Sequence, residues 1–172
     1  MPLVFRLMKN VIKCLPLFLI FTACVASPSL VSLFVEPGVI HHYFIPSTDW
    51  KAQGSRASAR LDITFRTGVD TPGIVNISFF GEREMPRTIS SISLNGRGLS
   101  CPLENISVLF PNPGNRELRV TTEADRDALI AVLQAEPITL RAEIDGVMRT
   151  FIPDRHFISI KNDFLAATAV TF

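Results

Sequence analysis

The stretch Ile138-Thr139-Leu140-Arg141-Ala142-Glu143-Ile144-Asp145-Gly146-Val147-Met148-Arg149-Thr150-Phe151-Ile152 decides the fold class. Ile138, Leu140, Ala142 and Ile144 alternate with Thr139, Arg141 and Glu143. Successive side chains of a strand point to opposite faces, so this period of two describes a strand with one apolar and one wet face. Asp145-Gly146 tolerates the positive φ that a two-residue hairpin turn requires. Such a turn pairs Ile144 with Val147, Ala142 with Arg149 and Leu140 with Phe151. Arg149 then falls on the apolar face opposite the small Ala142, which puts it at the rim of the sheet with its head in water.

Working outward, the same period recurs along most of the chain. Ala57, Ala59, Leu61, Ile63 and Phe65 alternate with Ser58, Arg60, Asp62, Thr64 and Arg66. Thr71-Pro72-Gly73 turns into an inward row of Val75, Ile77 and Phe79. Thr88 to Leu94 is a strand ending at the hairpin signal Asn95-Gly96, and Leu99 to Leu103 returns from it. Ile106, Val108 and Phe110 alternate next, before the turn cluster Pro111-Asn112-Pro113-Gly114-Asn115 and the resumption at Leu118 and Val120. Near the start, Val31 to Val35 and Val39 to Ile45 flank Glu36-Pro37-Gly38 as a first hairpin. Phe157 to Ile160 reads as a further strand, and the tail from Phe164 to Phe172 as a strand or short helix.

One segment breaks the period. Thr122 can cap a helix over residues 123–135 whose first turn holds Glu123, Asp125 and Asp127, acids that complement the N-terminal dipole. Ala128, Leu129, Val132 and Leu133 follow at helical spacing, and Pro137 ends the helix. About nine or ten short strands, one helix and turn signals roughly every 8–12 residues predict a mainly β, antiparallel β-sandwich, immunoglobulin-like in layering, with a small β-barrel as the alternative.

The ends of the chain differ. Residues 1–27 hold Arg6, Lys9 and Lys13 and no acid, then the uncharged run Cys14-Leu15-Pro16-Leu17-Phe18-Leu19-Ile20-Phe21, then small residues. A basic start, a short apolar run and a small-residue exit form a secretory signal. The uncharged stretch continues to Val35, but Ser27, Pro28 and Ser29 interrupt it, against the predominantly apolar residues, about 20 in number, that a spanning helix needs. Met8, directly before Lys9 and Lys13, would serve as an alternative start with the same mature product. Phe21-Thr22-Ala23-Cys24 resembles the lipobox of bacterial lipoproteins, in the relaxed form seen in spirochaetes, with Phe21 where Leu is usual. The resemblance implies cleavage after residue 23, a lipid on Cys24, and attachment to a membrane in the periplasm or on the outer surface of a bacterial envelope. The competing reading is ordinary cleavage after Ala26, which discards Cys24.

The 172 residues carry 17 Lys+Arg and 16 Asp+Glu, a formal charge of +1. Removing residues 1–23 takes three cations, leaving one domain over residues 24–172 with 14 cations and 16 acids, at about −2. That balance gives no electrostatic case for nucleic acid. Of the three cysteines, Cys14 lies in the leader, Cys24 is lipidated or lost, and Cys101 remains alone, so no internal disulfide forms. Cys101 reads as a small buried apolar residue.

No motif commits the domain to a reaction, and no cofactor is expected. His41 and His42 are adjacent in a strand, so they face opposite sides and cannot both ligate one ion there, and His156 has no matched ligand spacing. No serine sits in a Gly-x-Ser-x-Gly elbow. Gly81-Glu82-Arg83-Glu84 reads as a solvated turn, and Gly96-Arg97-Gly98 lacks the strand-to-helix context of a phosphate loop. Thirteen Phe against one Tyr and one Trp suit a core better than a binding surface. Tyr43, Phe44 and Trp50, gathered around Ile45-Pro46-Ser47-Thr48-Asp49, are the contacts expected if a loop reads a ligand or partner. The leading expectation is a non-enzymatic envelope protein with a structural or protein-binding role, its partner another envelope protein. The alternatives are a β-protein that holds a small apolar ligand inside, and a hydrolase.

Overall fold

A computed structural model describes residues 31–36, 40–66 and 71–168, with side chains over 43–66 and 71–167. The leader, Met8, Cys14, Cys24, the tip of the first hairpin and the side chains of His41 and His42 lie outside the described residues.

Nine strands run through the described residues: β1 (Val31–Glu36), β2 (Ile40–Ala52), β3 (Ser58–Arg66), β4 (Gly73–Phe80), β5 (Ile89–Gly96), β6 (Leu99–Asn112), β7 (Glu117–Ala124), β8 (Thr139–Ile144) and β9 (Val147–Pro153). All pairings are antiparallel, in the order β1-β2-β3-β4-β7-β6-β5-β8-β9. A further pairing of Trp50, Lys51 and Ala52 with Pro153, Ile152 and Phe151 joins β2 to β9 and closes eight strands into a barrel. The expected sandwich is therefore corrected to its alternative, the small barrel. The strand period is the same in both, and only the β2–β9 closure, between residues about a hundred apart in sequence, separates them. A register shift between Ile45 and Thr48, around Pro46, lets the long β2 bend from β1 toward β9.

The deciding hairpin forms in the expected register, with Ile144↔Val147, Ala142↔Arg149 and Leu140↔Phe151. Asp145 and Gly146 both take positive φ (51° and 75°). The β5–β6 turn falls two residues later than expected, at Arg97-Gly98 rather than Asn95-Gly96, because Gly98 supplies the positive φ (73°) and Gly96 still pairs with Leu99. The inward rows fill the interior: Leu61, Ile63, Ile77, Leu94, Leu140 and Phe151 are all fully buried.

Two helices stand among the described residues, where one was expected. Helix α1 (Arg126–Gln134) begins at Asp125, whose carboxylate accepts the N–H of Ala128 at 2.8 Å. Thr122 does not cap it: that residue belongs to β7 and donates its hydroxyl to the Val75 carbonyl at 2.9 Å. Helix α2 (Arg155–Thr168) replaces the strand expected at Phe157–Ile160. Its buried stripe is Phe157, Ile160, Lys161 and Phe164, a helical spacing in which the cation Lys161 masks the apolar period. Asp154 receives the Phe157 N–H at 2.8 Å, as an N-cap does. Phe157 packs edge-on against Trp50, and Phe164 stacks on Phe65 at 4.6 Å.

The strand registers sort the connections into two ends. The end of β3, the start of β4, the β5–β6 turn and the segment bearing α1 lie at one end. The β2–β3 turn, the β4–β5 loop (Gly81–Thr88), the β6–β7 tip and the β8–β9 turn gather at the other.

Candidate functional site

The structure uses Tyr43 and Trp50 as core. They are 5% and 0% exposed, and the Trp50 indole N–H donates to the Thr48 hydroxyl at 3.2 Å. Phe44 is half-buried, so of these three only its ring reaches the surface appreciably. The strand alternation that makes Tyr43 inward makes Phe44 outward.

Two other places carry exposed chemistry. The first is the turn-bearing end of the barrel. There the β4–β5 loop crosses the opening and is held on both sides. The Gly81 N–H donates to the Arg116 carbonyl at 3.0 Å. On the far side, one oxygen of Asp145 accepts the N–H groups of Arg87 (3.0 Å) and Thr88 (2.9 Å) and the Thr88 hydroxyl (3.2 Å). Burial pushes the Asp145 carboxyl up, but these hydrogen bonds and the Arg87 charge outweigh it and hold the pKa below the usual aspartate value. The loop is folded tightly on itself: a Cβ on Gly81 would lie 1.6 Å from the Glu84 carbonyl oxygen.

Clefts flank the base of this loop. One, of about 340 Å³, has Ala57, Ile144 and Phe151 as its apolar floor and Arg83, Arg87 and Arg149 around it. Arg149 is half-buried opposite Ala142, as its register implies, and donates to the Ser55 hydroxyl at 3.3 Å. The other, of about 450 Å³, is lined by Arg56, Arg60 and Arg116 with Ser58 and Asn115. Both share Phe80, Gly81 and Glu82 as a common wall. The arginines come from the β2–β3 turn, β3, the β4–β5 loop, the β6–β7 tip and β9. They are scattered in sequence, which is why no motif announced them.

The second place is β6. Leu99 to Leu103 pair with β5, but beyond Leu103 the strand leaves β5 and stays paired with β7, which pairs with β4 along its other side, so this part of β6 is a sheet edge. Asn105 marks the departure with a positive φ (51°) and a register shift. Among the described residues no strand pairs with the side of β6 away from β7 past that point. Val108, Leu109 and Phe110 are 59%, 50% and 44% exposed. From Asn105 to Asn115 there is no charged residue. That uncharged run was the available signal, and the Pro-Asn-Pro-Gly punctuation hid it as a turn.

Cys101 is buried, and burial, with the nearby charges of Asp125 and Glu104, pushes its thiol up to about 11. Among the described residues no three His, Cys, Asp or Glu side chains gather to hold a metal ion, and no helix is long and apolar enough to cross a membrane. No family model matches the chain, and no curated protein or solved structure matches it either.

Proposed function

We propose that the chain is an exported envelope protein, anchored by a lipid on Cys24, whose barrel binds another envelope protein along the open edge of β6. The observation that carries the binding role is the overhang of β6. Among the described residues its backbone groups past Leu103 pair with β7 on one side and with no strand on the other, and its apolar side chains stand in water on both faces. Natural proteins usually protect such an edge with charges, because it templates pairing with another chain. Here Ile106 to Phe110 carry none, so an extended apolar segment of a partner can add as a strand and bury Val108, paired with Val120, on one face and Phe110, paired with Arg119, on the other. The filled interior supports this reading over a ligand held inside the barrel. The anchor rests on the resemblance of Phe21-Thr22-Ala23-Cys24 to a lipobox.

Photocrosslinking groups placed at Val108 and Phe110 in living cells test the docking edge, with Gln53 as an exposed control. A discrete protein adduct from the two β6 positions, absent at Gln53 and lost with Leu109→Lys, is expected. Equal adducts at Gln53, or none at all from a protein recovered soluble and alone, would overturn it. Radioactive fatty acid tests the anchor: label on the wild type and none on Cys24→Ala is expected, and no label on either refutes it.

A further inference from the structure

The charge of the described chain is unevenly placed. The described residues include 14 cations and 15 acids. Six of those cations, all arginine, line the two clefts at the turn-bearing end, against four acids. That leaves eight cations and eleven acids elsewhere, so a domain with a slight acidic excess concentrates positive charge at this one opening.

The polar cleft holds Arg56, Arg60 and Arg116 against Asp49 and Glu82 and so keeps one cation in excess. Asp49 is already paired with Arg60 at 3.0 Å, leaving Glu82 against Arg56 and Arg116. Arg116 is oriented by donating one Nη to the Glu82 carbonyl, which leaves its other N–H groups for a ligand. Arg60 is held over the Phe80 ring, 5.6 Å from its centroid. Two of the three guanidiniums are therefore pre-positioned, and the entropy of ordering a long cation is partly spent before any ligand arrives. They come from three separate elements. A carboxylate offers two oxygens in one plane, suited to one guanidinium fork, whereas a tetrahedral phosphate offers acceptors in several directions. The adjoining cleft, across Phe80 and Gly81, has an apolar floor of Ala57, Ile144 and Phe151.

We propose that the turn-bearing end of the barrel binds a phosphate ester, its phosphate between Arg56, Arg60 and Arg116 and its organic part over Phe80 in the adjoining cleft. The site is independent of the β6 edge and needs no partner protein.

The test follows arginine Nε–H NMR signals of the purified full-length chain, titrated with inorganic phosphate, phenyl phosphate and sodium chloride at matched ionic strength. Saturable shifts at Arg56, Arg60 and Arg116 are expected with both phosphates and not with chloride, with phenyl phosphate binding tighter. Each charge-assisted hydrogen bond is worth roughly tenfold in affinity, so Arg56→Gln and Arg116→Gln should each weaken phenyl phosphate binding by about that factor. Their unchanged amide spectra would show that the fold is intact. Shifts at Arg97 and Arg141 equal to those at Arg56, no saturation, or full affinity in both variants would overturn the site. Phenyl phosphate binding no tighter than inorganic phosphate would overturn the placement of the organic part. Competition by phosphatidylcholine vesicles containing phosphatidic acid would identify a lipid headgroup as the source of the phosphate, and its absence a soluble ester.

Discussion

Asp62 offers the most direct test of the energetics, because it faces outward from the barrel and is nevertheless 5% exposed. The strand register explains how. Asp62 pairs across β3–β4 with Asn76, and Arg119 reaches it diagonally from β7. Asn76 donates to one carboxylate oxygen at 2.7 Å and Arg119 to the other at 3.0 Å, while a second Arg119 nitrogen donates to the Ser78 hydroxyl at 3.2 Å. Replacing Asp62 by Ala removes two acceptors at once and leaves Arg119, whose side chain is only 26% exposed, without its counter-charge. Breaking a fully buried pair costs roughly 3–5 kcal/mol, and an exposed pair is worth less than about 1 kcal/mol. Arg119 reaches water on one side, so Asp62→Ala should cost about 2–3 kcal/mol. In a domain of this size that lowers the melting temperature by roughly 6–10 °C. Urea unfolding measures it, with an unchanged slope showing that the midpoint reports stability. The double variant Asp62→Ala, Arg119→Ala should cost less than the sum of the singles, by about 1–2 kcal/mol. Arg87→Gln, which breaks the exposed pair with Glu84, should stay within about 0.5 kcal/mol of the wild type. A loss under about 0.5 kcal/mol for Asp62→Ala, or strict additivity in the cycle, would refute the reasoning.

Gly96→Ala should destabilise by about 1–3 kcal/mol, since its Cβ would come within 2.5 Å of the Ala135 Cβ just past α1; a melting temperature equal to the wild type's would show that the helix end yields freely. Phe164→Ala removes the stack on Phe65 and the edge contact to Tyr43 at a fully buried position, and should cost about 3–5 kcal/mol by urea unfolding. Asp145 has a folded pKa below its ordinary 3.8, so the stability it contributes is full above that value and is lost as pH falls through the lower folded value. The gap in urea midpoint between wild type and Asp145→Ala should therefore hold from pH 7 to about 5 and close below about pH 4. Cys101, buried and with its thiol pushed up to about 11, should react slowly with a disulfide reagent at pH 8 in the native protein and rapidly in urea; equal rates would show an open site.

What was legible in the sequence is what depends on near neighbours. The Asp145-Gly146 turn and the alternation of Ile138 to Ile144 fixed a register that placed Arg149 opposite Ala142, because a two-residue loop leaves no slack. Closure was not legible. A sandwich and a barrel share the same inward and outward rows, and the three residue pairs joining β2 to β9 leave no local trace. Helix α2 was missed for another reason: Lys161 lies on its buried face, where it donates to Glu136 at 2.8 Å, and a cation in an apolar stripe breaks the period on which the reading relied. Residue type alone favours Tyr43 and Trp50 as surface contacts; the alternation with Phe44 already turns Tyr43 inward, whereas Trp50 turns inward only because the register shift between Ile45 and Thr48 changes the strand phase.

The same phase reasoning limits what the β6 edge can do. Pro111 has no N–H to offer a partner strand, and the departure at Asn105 sets the other boundary, so the usable edge is Ile106 to Phe110. Five residues of one strand edge supply only a few backbone hydrogen bonds, each worth about 1 kcal/mol net. Affinity must therefore come mainly from burying Val108, Leu109 and Phe110, whose exposure on both faces of the edge requires a partner that reaches over the edge strand rather than merely extending the sheet. A partner that only added a strand would cover one edge and leave most of that apolar surface wet. It follows that Val108→Ser and Phe110→Ser, which pair with Val120 and Arg119 and so sit on opposite faces, should each weaken the complex by themselves, while Ser107→Pro at the edge should weaken it less than the two together. If the proline alone abolished binding and the two serines did not affect it, the edge strand would be acting as a backbone template and the apolar faces would have no part in recognition.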